Sequence, residues 1–134
     1  MMTKETKKEN KKYSESLENY LETICLFGGE NVKSIDLAKH LNVSRASVNK
    51  AINTLIEEGL VEKELYGDIS LTASGKEISS KVLWKHKLLR KFLIEILDVT
   101  PSTANSEACG IEHSISDDTA KKLELLMIKI KTED

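Results

Sequence analysis

The feature of this sequence that most restricts its fold is the succession of hydrophobic patterns between residues 34 and 73. The segment SIDLAKHL, which begins at Ser34, repeats its apolar residues near a helical period. After a short turn at Asn42–Val43, Ser44 is the predicted N-cap of a second helix that Gly59 ends. The period then shortens to two in LVEKEL and ISLT, on either side of the tripeptide YGD, which predicts a two-stranded hairpin. Two closely spaced helices followed by a hairpin are the order of a winged helix-turn-helix.

The second helix of this pair carries the residues that are suited to DNA. In helix-turn-helix proteins its N-terminal end enters the major groove and meets the base edges. Small residues at this end allow close approach, Arg45 and Lys50 can reach phosphates or guanine, and Asn49 can bind an adenine edge. The predicted DNA-binding residues, which include two outside this helix, are Lys33, Ser44, Arg45, Ala46, Ser47, Asn49, Lys50 and Tyr66. A plain packing unit is the alternative interpretation, since helix pairs with this periodicity also occur without DNA. The net charge of −2 counts mildly against a nucleic-acid partner, but it does not decide the question, because a dimer can concentrate its basic residues on one face.

The chain before this unit divides into a charged tail and a helix. Residues 1–13 are predicted to be a flexible basic tail, because the first twelve contain five lysines and no apolar residue after the methionines. A basic arm along DNA phosphates is the alternative. Ser14 or Ser16 is then the predicted N-cap of a helix whose apolar stripe runs to Phe27, and Gly28–Gly29 end it.

The chain after the hairpin is predicted to be helical. A capping-box pattern at Ser74–Glu77 begins a long helix that reaches about Leu97, and apolar residues on several of its faces predict burial on more than one side. Pro101 begins a predicted irregular stretch, which leads to a short helix over residues 107–113 and a final helix capped by Ser116. The predicted fold is therefore mainly α, with a winged helix-turn-helix over residues 14–73 and a helical metal-binding and dimerisation domain over residues 74–134.

Composition agrees with this architecture. Aromatic residues make up only 4% of the chain, so the core has to be built from aliphatic residues, which favours helices and often a second chain. Cys25 and Cys109 lie far apart and form no paired framework. No signal peptide is recognisable, and no apolar run approaches the roughly 18 residues of a membrane helix. We expect a cytoplasmic protein with reduced thiols and no membrane association.

A possible metal-binding motif, C-x-x-E-H, lies at residues 109–113. Its three side chains project from one helical face, so a thiolate, a carboxylate and an imidazole converge, which suits a transition metal rather than Ca²⁺ or Mg²⁺. The alternative is a half-buried Cys109 beside a surface Glu-His pair. Elsewhere the chain offers His86 on the long helix and Asn19 with Glu22 on the first helix. Spacing alone does not show whether these residues meet the motif.

Several segments together resemble the iron- and manganese-dependent repressors of the diphtheria-toxin-repressor family. SESLENYLETI, VSRASVNKAINTLIEEGLVE, YGDISLTASGKEI, KHKLLRKFL and EACGIEHSIS occur in the family's order and spacing, from Ser14 to the end. The resemblance implies a homodimer, not an enzyme, that binds a palindromic operator when Fe²⁺ or Mn²⁺ is bound and represses metal-uptake genes. It also implies metal ligands at Asn19, Glu22, His86, Cys109, Glu112 and His113.

The sequence departs from the family's pattern at three positions. Asn19 stands where the family has Met or Asp, and Arg90 and Asn105 align with a Glu and a His of a second site in the longer iron-sensing members. That version of the second site is expected to be absent. The layout resembles the short manganese-sensing branch, whereas Cys109 resembles the iron-sensing one. Because a thiolate is softer than the oxygen donors that suit Mn²⁺, Fe²⁺ is favoured over Mn²⁺.

Two other functions remain open from the sequence. One is a metal-independent winged-helix regulator that senses oxidants or a small molecule, with Cys109 as the redox thiol. The other is a metallo-hydrolase built on the Cys109 motif, which is disfavoured because the chain has neither H-E-x-x-H nor a glycine-rich phosphate loop.

Overall fold

The computed structural model describes residues 13–133, and these residues form a mainly helical structure with one small sheet. The elements are α1 (Glu15–Leu26), α2 (Ser34–Leu41), α3 (Arg45–Glu57), β1 (Val61–Lys63), β2 (Ile69–Leu71), α4 (Ala73–Glu95), α5 (Pro101–Glu112) and α6 (Asp117–Glu133). The predicted fold class, a winged helix-turn-helix followed by a helical region, is confirmed. The predicted basic tail lies outside the described residues except for Tyr13, which is half-buried against the core of the winged helix.

The helix starts of the winged helix follow from serine caps. The Ser14 hydroxyl accepts a hydrogen bond from the Leu17 amide at 3.2 Å, and the Ser44 hydroxyl accepts one from the Ser47 amide at 3.0 Å. Each bond satisfies one of the amides that a helix N-terminus leaves without a partner. Ser14, rather than Ser16, is therefore the N-cap of α1, and the predicted cap of α3 is confirmed.

The wing is an antiparallel hairpin whose register pairs Val61 with Leu71 and Lys63 with Ile69. A short 3-10 turn, Leu65–Gly67, joins the strands, and Val32 bonds to Ile69 as an extra rung beside β2. The predicted hairpin is therefore confirmed. Behind the wing lies a core of fully buried aliphatic side chains, among them Leu21, Ile24, Leu37, Val48, Ile52, Leu55 and Ile69.

The start of α4 differs from the prediction. Thr72, not Ser74, is its N-cap: the Thr72 hydroxyl accepts from the Gly75 amide at 3.1 Å and donates to the Gly59 carbonyl at 2.7 Å. The second bond ties the cap to the end of α3, a long-range contact that a local capping-box pattern does not contain. Gly75 is buried where α4 passes the backbone of Leu60. The start of the long helix is thus hydrogen-bonded to the end of α3.

The prediction of an irregular stretch after Pro101 is wrong. Pro101 is the first residue of the twelve-residue helix α5, a position where its missing amide costs nothing. Ala104 and Ala108 on α5 are fully buried against Leu89 and Leu93 of α4, and these small side chains let the two helices approach closely.

The far end of α4 packs against α6. The Ser116 hydroxyl accepts from the Thr119 amide at 3.1 Å, which confirms the predicted cap of the final helix. Ala120 and Met127 of α6 are buried against α4 near Leu88. Since α1, α5 and α6 all contact α4, the expectation that this helix buries more than one face is confirmed. Within residues 13–133, no helix combines the length and hydropathy that crossing a membrane requires.

Candidate metal centre and nucleic-acid interface

The six predicted ligands, which lie on three helices far apart in sequence, come together beside the α4–α5 contact. Glu112 is central, because it belongs to both of two groups whose ligand atoms lie within 4.8 Å of one another. One group is Cys109, Glu112 and His113, and the other is Glu22, His86 and Glu112. Asn19 joins the first group, since its Oδ1 lies 3.0 Å from Nε2 of His113. The structure therefore brings α1, α4 and α5 together at these side chains, which the spacing in the sequence could not show.

Buried polar atoms without partners show that these residues fit a cation. Oε1 of Glu112 lies 3.4 Å from Nδ1 of His86 and 3.5 Å from Nε2 of His113. Both carboxylate oxygens of Glu112, Oε2 of Glu22 and Nδ1 of His86 are buried and have no hydrogen-bond partner among the described residues. Each unpaired buried polar group costs about 1–3 kcal/mol, so four such atoms at one point call for an explanation. A cation among them would pair all four.

The same burial changes the acidity of the site. Burial, followed by the nearby Glu22 carboxylate, raises the pKa of Glu112 to about 9. Burial also raises the pKa of the Cys109 thiol to about 11, with the Glu112 carboxylate as the next cause. Both groups therefore hold protons at neutral pH when no cation is bound. A divalent cation binds the deprotonated forms, so its binding has to release protons.

Each histidine of the cluster is held by an oxygen on the side away from Glu112. Nδ1 of His113 lies 2.7 Å from Oε1 of Glu18, and Nε2 of His86 lies 2.9 Å from Oδ1 of Asn105. Glu18 was not among the residues predicted for this site, and Asn105 was predicted only as a position where a family ligand is lost. One available signal was the spacing of Glu18 and Glu22, which places two carboxylates on one face of α1.

The cluster has access to solvent. A cleft of about 690 Å³ reaches the site, and the residues that line it include Glu18, Glu112, His113 and the first residues of α6. Lys85 bridges this region, because its ammonium donates to the Ile115 carbonyl at 2.9 Å and pairs with Asp117 at 2.8 Å. The loop that follows His113 is thereby fixed to α4.

The predicted DNA-binding residues of α3 share one exposed face. Val48, Ile52 and Leu55 turn inward, whereas the first turn and the opposite face are exposed, namely Arg45, Ala46, Ser47, Asn49 and Lys50. The Ser44 hydroxyl, which caps the helix, also donates to the Ser47 hydroxyl at 3.0 Å. This face offers a cationic and hydrogen-bonding surface at the N-terminal end of the recognition helix.

The remaining two predicted DNA-binding residues flank this face. Tyr66 is 96% exposed at the tip of the wing, in the left-handed backbone region with φ 71°. Lys33 precedes α2, and its ammonium lies 3.4 Å from Asp68 of the wing in an exposed ion pair. The structure thus brings the wing close to the start of α2, on the exposed surface of the winged helix.

Two protein families match this chain, and together they span nearly all of it. Residues 12–69 match the family described as the N-terminal DNA binding domain of iron dependent repressors, and residues 72–133 match their metal binding and dimerisation domain. The uncharacterized HTH-type transcriptional regulator MJ0568 of Methanocaldococcus jannaschii is 41% identical over 121 residues, which cover 88% of this chain and 97% of that protein. The HTH-type transcriptional regulator MntR of Bacillus velezensis is 30% identical, over 89% of this chain and 95% of that protein.

The fold of this chain is also similar to that of a solved structure. The structure of the manganese regulator SloR is 28% identical and superposes over 83% of this chain with a TM-score of 0.75. This chain spans 53% of the length of that structure.

Proposed function

This chain belongs to the diphtheria-toxin-repressor family of iron- and manganese-dependent transcriptional regulators, and from that premise we propose how a metal controls its binding to DNA. It is a metal-responsive, DNA-binding transcriptional repressor. The proposed ligands of the divalent metal are Asn19, Glu22, His86, Cys109, Glu112 and His113. The observation that carries this assignment is the set of four buried, unpartnered polar atoms on Glu22, His86 and Glu112.

Glu112 is the proposed shared ligand of two adjacent binding positions. The group of Cys109, Glu112 and His113 has a sulfur donor, whereas the group of Glu22, His86 and Glu112 has only nitrogen and oxygen donors. A bound divalent cation supplies the positive charge that compensates the two buried carboxylates. The stoichiometry of binding, one or two ions per chain, tests whether both groups are used.

The proposed switch is a linkage between α1 and the helices of the C-terminal half. Asn19 and Glu22 lie on α1, whose residues Leu21 and Ile24 are fully buried in the core of the winged helix. The other ligands lie on α4 and α5 or directly after α5. Ligands on both sides hold α1, and with it the recognition helix, in a defined position, which removes an ordering cost from DNA binding. Metal and operator then increase each other's affinity by the same factor.

We also propose that this chain forms a homodimer. Residues 74–134 are the proposed metal-binding and dimerisation domain, in agreement with the matched family. The described part of α6 also leaves Leu125, Leu126 and Ile128 about half exposed or more. Two symmetric recognition helices about 34 Å apart would fit successive major-groove sites of a palindromic operator.

Fe²⁺ is the proposed physiological metal, with Mn²⁺ as the alternative. The sulfur donor of Cys109 favours softer ions, and affinity rises from Mn²⁺ to Fe²⁺ in the Irving–Williams order. The neutral amide of Asn19 leaves the site with fewer negative oxygen donors than a carboxylate there would provide. Competition between the two ions under anaerobic conditions measures this preference directly.

Operator binding is the decisive experiment. Fluorescence anisotropy would follow binding to the DNA upstream of the gene itself, in chelator, in Mn²⁺ and in anaerobic Fe²⁺. We expect at least about 10-fold tighter binding with metal. Glu112→Gln should lose this response, whereas Glu107→Gln, at an exposed position of the same helix, should retain it. Equal binding by the parent protein in chelator and in metal would refute the metal switch.

The oxidant-sensing alternative is disfavoured by the environment of Cys109. The thiolate is the form that oxidants attack, and burial together with Glu112 holds this group as a thiol at neutral pH by raising its pKa to about 11. An arm of the same experiment with peroxide and chelator tests it. Operator binding that ignores metal but changes with peroxide would favour the alternative.

A further inference from the structure

The Glu18–His113 contact is a buried connection between the DNA-binding half of the chain and the end of α5. The side chain of Glu18 is 13% exposed and that of His113 is 4% exposed, and Oε1 lies 2.7 Å from Nδ1. Such a short distance is typical of a hydrogen bond to an ionised group. Glu18 belongs to neither of the two groups whose ligand atoms lie within 4.8 Å of one another.

The contact decides which nitrogen of His113 carries the proton. A carboxylate only accepts, so Nδ1–H donates to Glu18 and the lone pair of the neutral ring lies on Nε2. Nε2 lies 3.0 Å from Oδ1 of Asn19 and 3.5 Å from Oε1 of Glu112, in the interior of the candidate metal centre. Oxygen atoms this close repel a lone pair on Nε2 unless a cation lies between them. The contact with Glu18 therefore orients the ring so that Nε2 points into the cluster.

His86 shows the same arrangement with the two nitrogens exchanged. Its Nε2 lies 2.9 Å from Oδ1 of Asn105, and its Nδ1 lies 3.4 Å from Oε1 of Glu112. Both rings thus have an oxygen on the outer side and Glu112 on the inner side. The difference is that Asn105 is a neutral acceptor at an exposed position, whereas Glu18 is a carboxylate in a largely buried one.

We propose that Glu18 is a positioning residue for metal binding, which holds His113 in the orientation and tautomer that direct Nε2 at the ion. This inference rests on the proposed function, because it assumes that His113 is a ligand. Outer hydrogen-bond acceptors of this kind fix the orientation and tautomer of the ligating imidazole, and their loss commonly weakens metal affinity about 10- to 100-fold. Since Glu18 lies on α1, the residue also joins the DNA-binding half to the site before the ion binds.

The competing explanation is an ordinary structural ion pair. An ion pair between Glu18 and a protonated His113 would stabilise the fold, and its removal would lower stability without a specific effect on metal. A second competitor is the charge alone, acting at long range on the buried site. Glu15, exposed on the same helix and close enough to act electrostatically on Cys109, provides a matched control for that effect.

The test is anaerobic titration of the purified full-length chain with Co²⁺, whose visible absorption reports both affinity and coordination. Four variants are compared with the parent protein: Glu18→Ala, Glu18→Asp, Glu18→Gln and Glu15→Gln. The aspartate keeps the charge but withdraws the oxygen from Nδ1, and the glutamine loses the charge but keeps an oxygen that accepts from Nδ1–H. Urea unfolding in chelator measures the stability of every variant separately.

We expect Co²⁺ affinity to fall about 10- to 100-fold in Glu18→Ala and Glu18→Asp, with an altered visible spectrum. Glu18→Gln should recover the parent spectrum and most of the affinity, and Glu15→Gln should match the parent. If Glu18→Ala does not fold, the difference between Glu18→Asp and Glu18→Gln decides the question.

Three results would overturn the inference: parental affinity in both Glu18→Ala and Glu18→Asp, a glutamine variant as weak as the aspartate, or an equal loss in Glu15→Gln. A parent protein that binds no Co²⁺, Mn²⁺ or Fe²⁺ would instead refute the proposed function itself. The two failures are therefore distinguishable.

Discussion

Replacing Glu112 with glutamine should stabilise the metal-free protein while abolishing its response to metal. Glutamine has nearly the same shape as the glutamic acid but cannot ionise. Burial raises the pKa of Glu112 from 4.5 to about 9, so at neutral pH this group is protonated in the folded chain and ionised in the unfolded one. A raised acid pKa gives stability that is fully present below 4.5 and is lost as the pH rises toward 9.

The size of the effect follows from this gap. Between the two pKa values, each pH unit lowers the free energy of unfolding by about 1.4 kcal/mol through this one group. At pH 7 the parent protein has therefore lost about 3 kcal/mol, whereas the glutamine variant has lost none. Near pH 5 the difference should shrink to about 1 kcal/mol or less. Metal at about 100 times its Kd should then add about 2.7 kcal/mol to the parent and nothing to the variant.

Urea unfolding followed by far-UV circular dichroism measures both quantities. Curves are collected between pH 5 and 8 in chelator and in Mn²⁺, at one protein concentration because a dimer's stability depends on it. Glu107→Gln is the matched control, since it removes an exposed carboxylate from the same helix. If Glu112→Gln and the parent show parallel pH dependence in chelator, burial does not hold this carboxyl protonated, and the reasoning is refuted.

Three further predictions concern selectivity, DNA binding and packing. Cys109→Ser should weaken binding of Fe²⁺ more than of Mn²⁺, because it replaces a soft donor by a hard one, and anaerobic competition titrations measure the ratio. Arg45→Ala should weaken operator binding, and if the side chain contacts a phosphate, it should lower the slope of log K against log salt by about 1. Fluorescence anisotropy at several KCl concentrations measures both quantities. An unchanged affinity would show that Arg45 is not part of the interface. Gly75→Ala should destabilise the folded chain by about 2 kcal/mol or more, because the added Cβ would overlap the Leu60 carbonyl oxygen. Gly110→Ala is the control, since a Cβ there meets open space. Equal melting temperatures of the two variants would contradict this packing.

Local patterns were sufficient for much of the DNA-binding half. Ser14 and Ser44 are caps because a serine hydroxyl satisfies a helix amide from within the same few residues. The hairpin follows from a two-residue period around a turn tripeptide. Two predictions failed, one because a long-range contact decides the helix cap and one because the position of a proline within a helix decides its effect. Thr72 is bound to Gly59, and Pro101 was interpreted as a helix breaker although it occupies the first position of a helix.

The candidate site divides in the same way. The pattern at residues 109–113 places three donors on one face of a helix from spacing alone. Asn19, Glu22 and His86 were recognised as possible donors, but only the resemblance to a family implied that they join the same site. No local pattern carries the convergence of these residues, because they lie on three separate helices. Glu18 escaped notice for the same reason, since its partner His113 is 95 residues away.

The sequence by itself determined the chemical character of the site, namely one sulfur, two imidazoles and oxygen donors at helical spacing. Only the tertiary structure decided how those groups behave. Glu112, at the end of the helix that packs on α4, is only 2% exposed, and its carboxylate oxygens have no hydrogen-bond partner among the described residues. Burial leaves little room for water to solvate a charge on Glu112, so its pKa rises, and a cation would compensate the ionised carboxylate. The periodicity of the sequence predicts on which face of a helix a residue lies. The solvation of that residue depends on which other segments of the chain pack against that face.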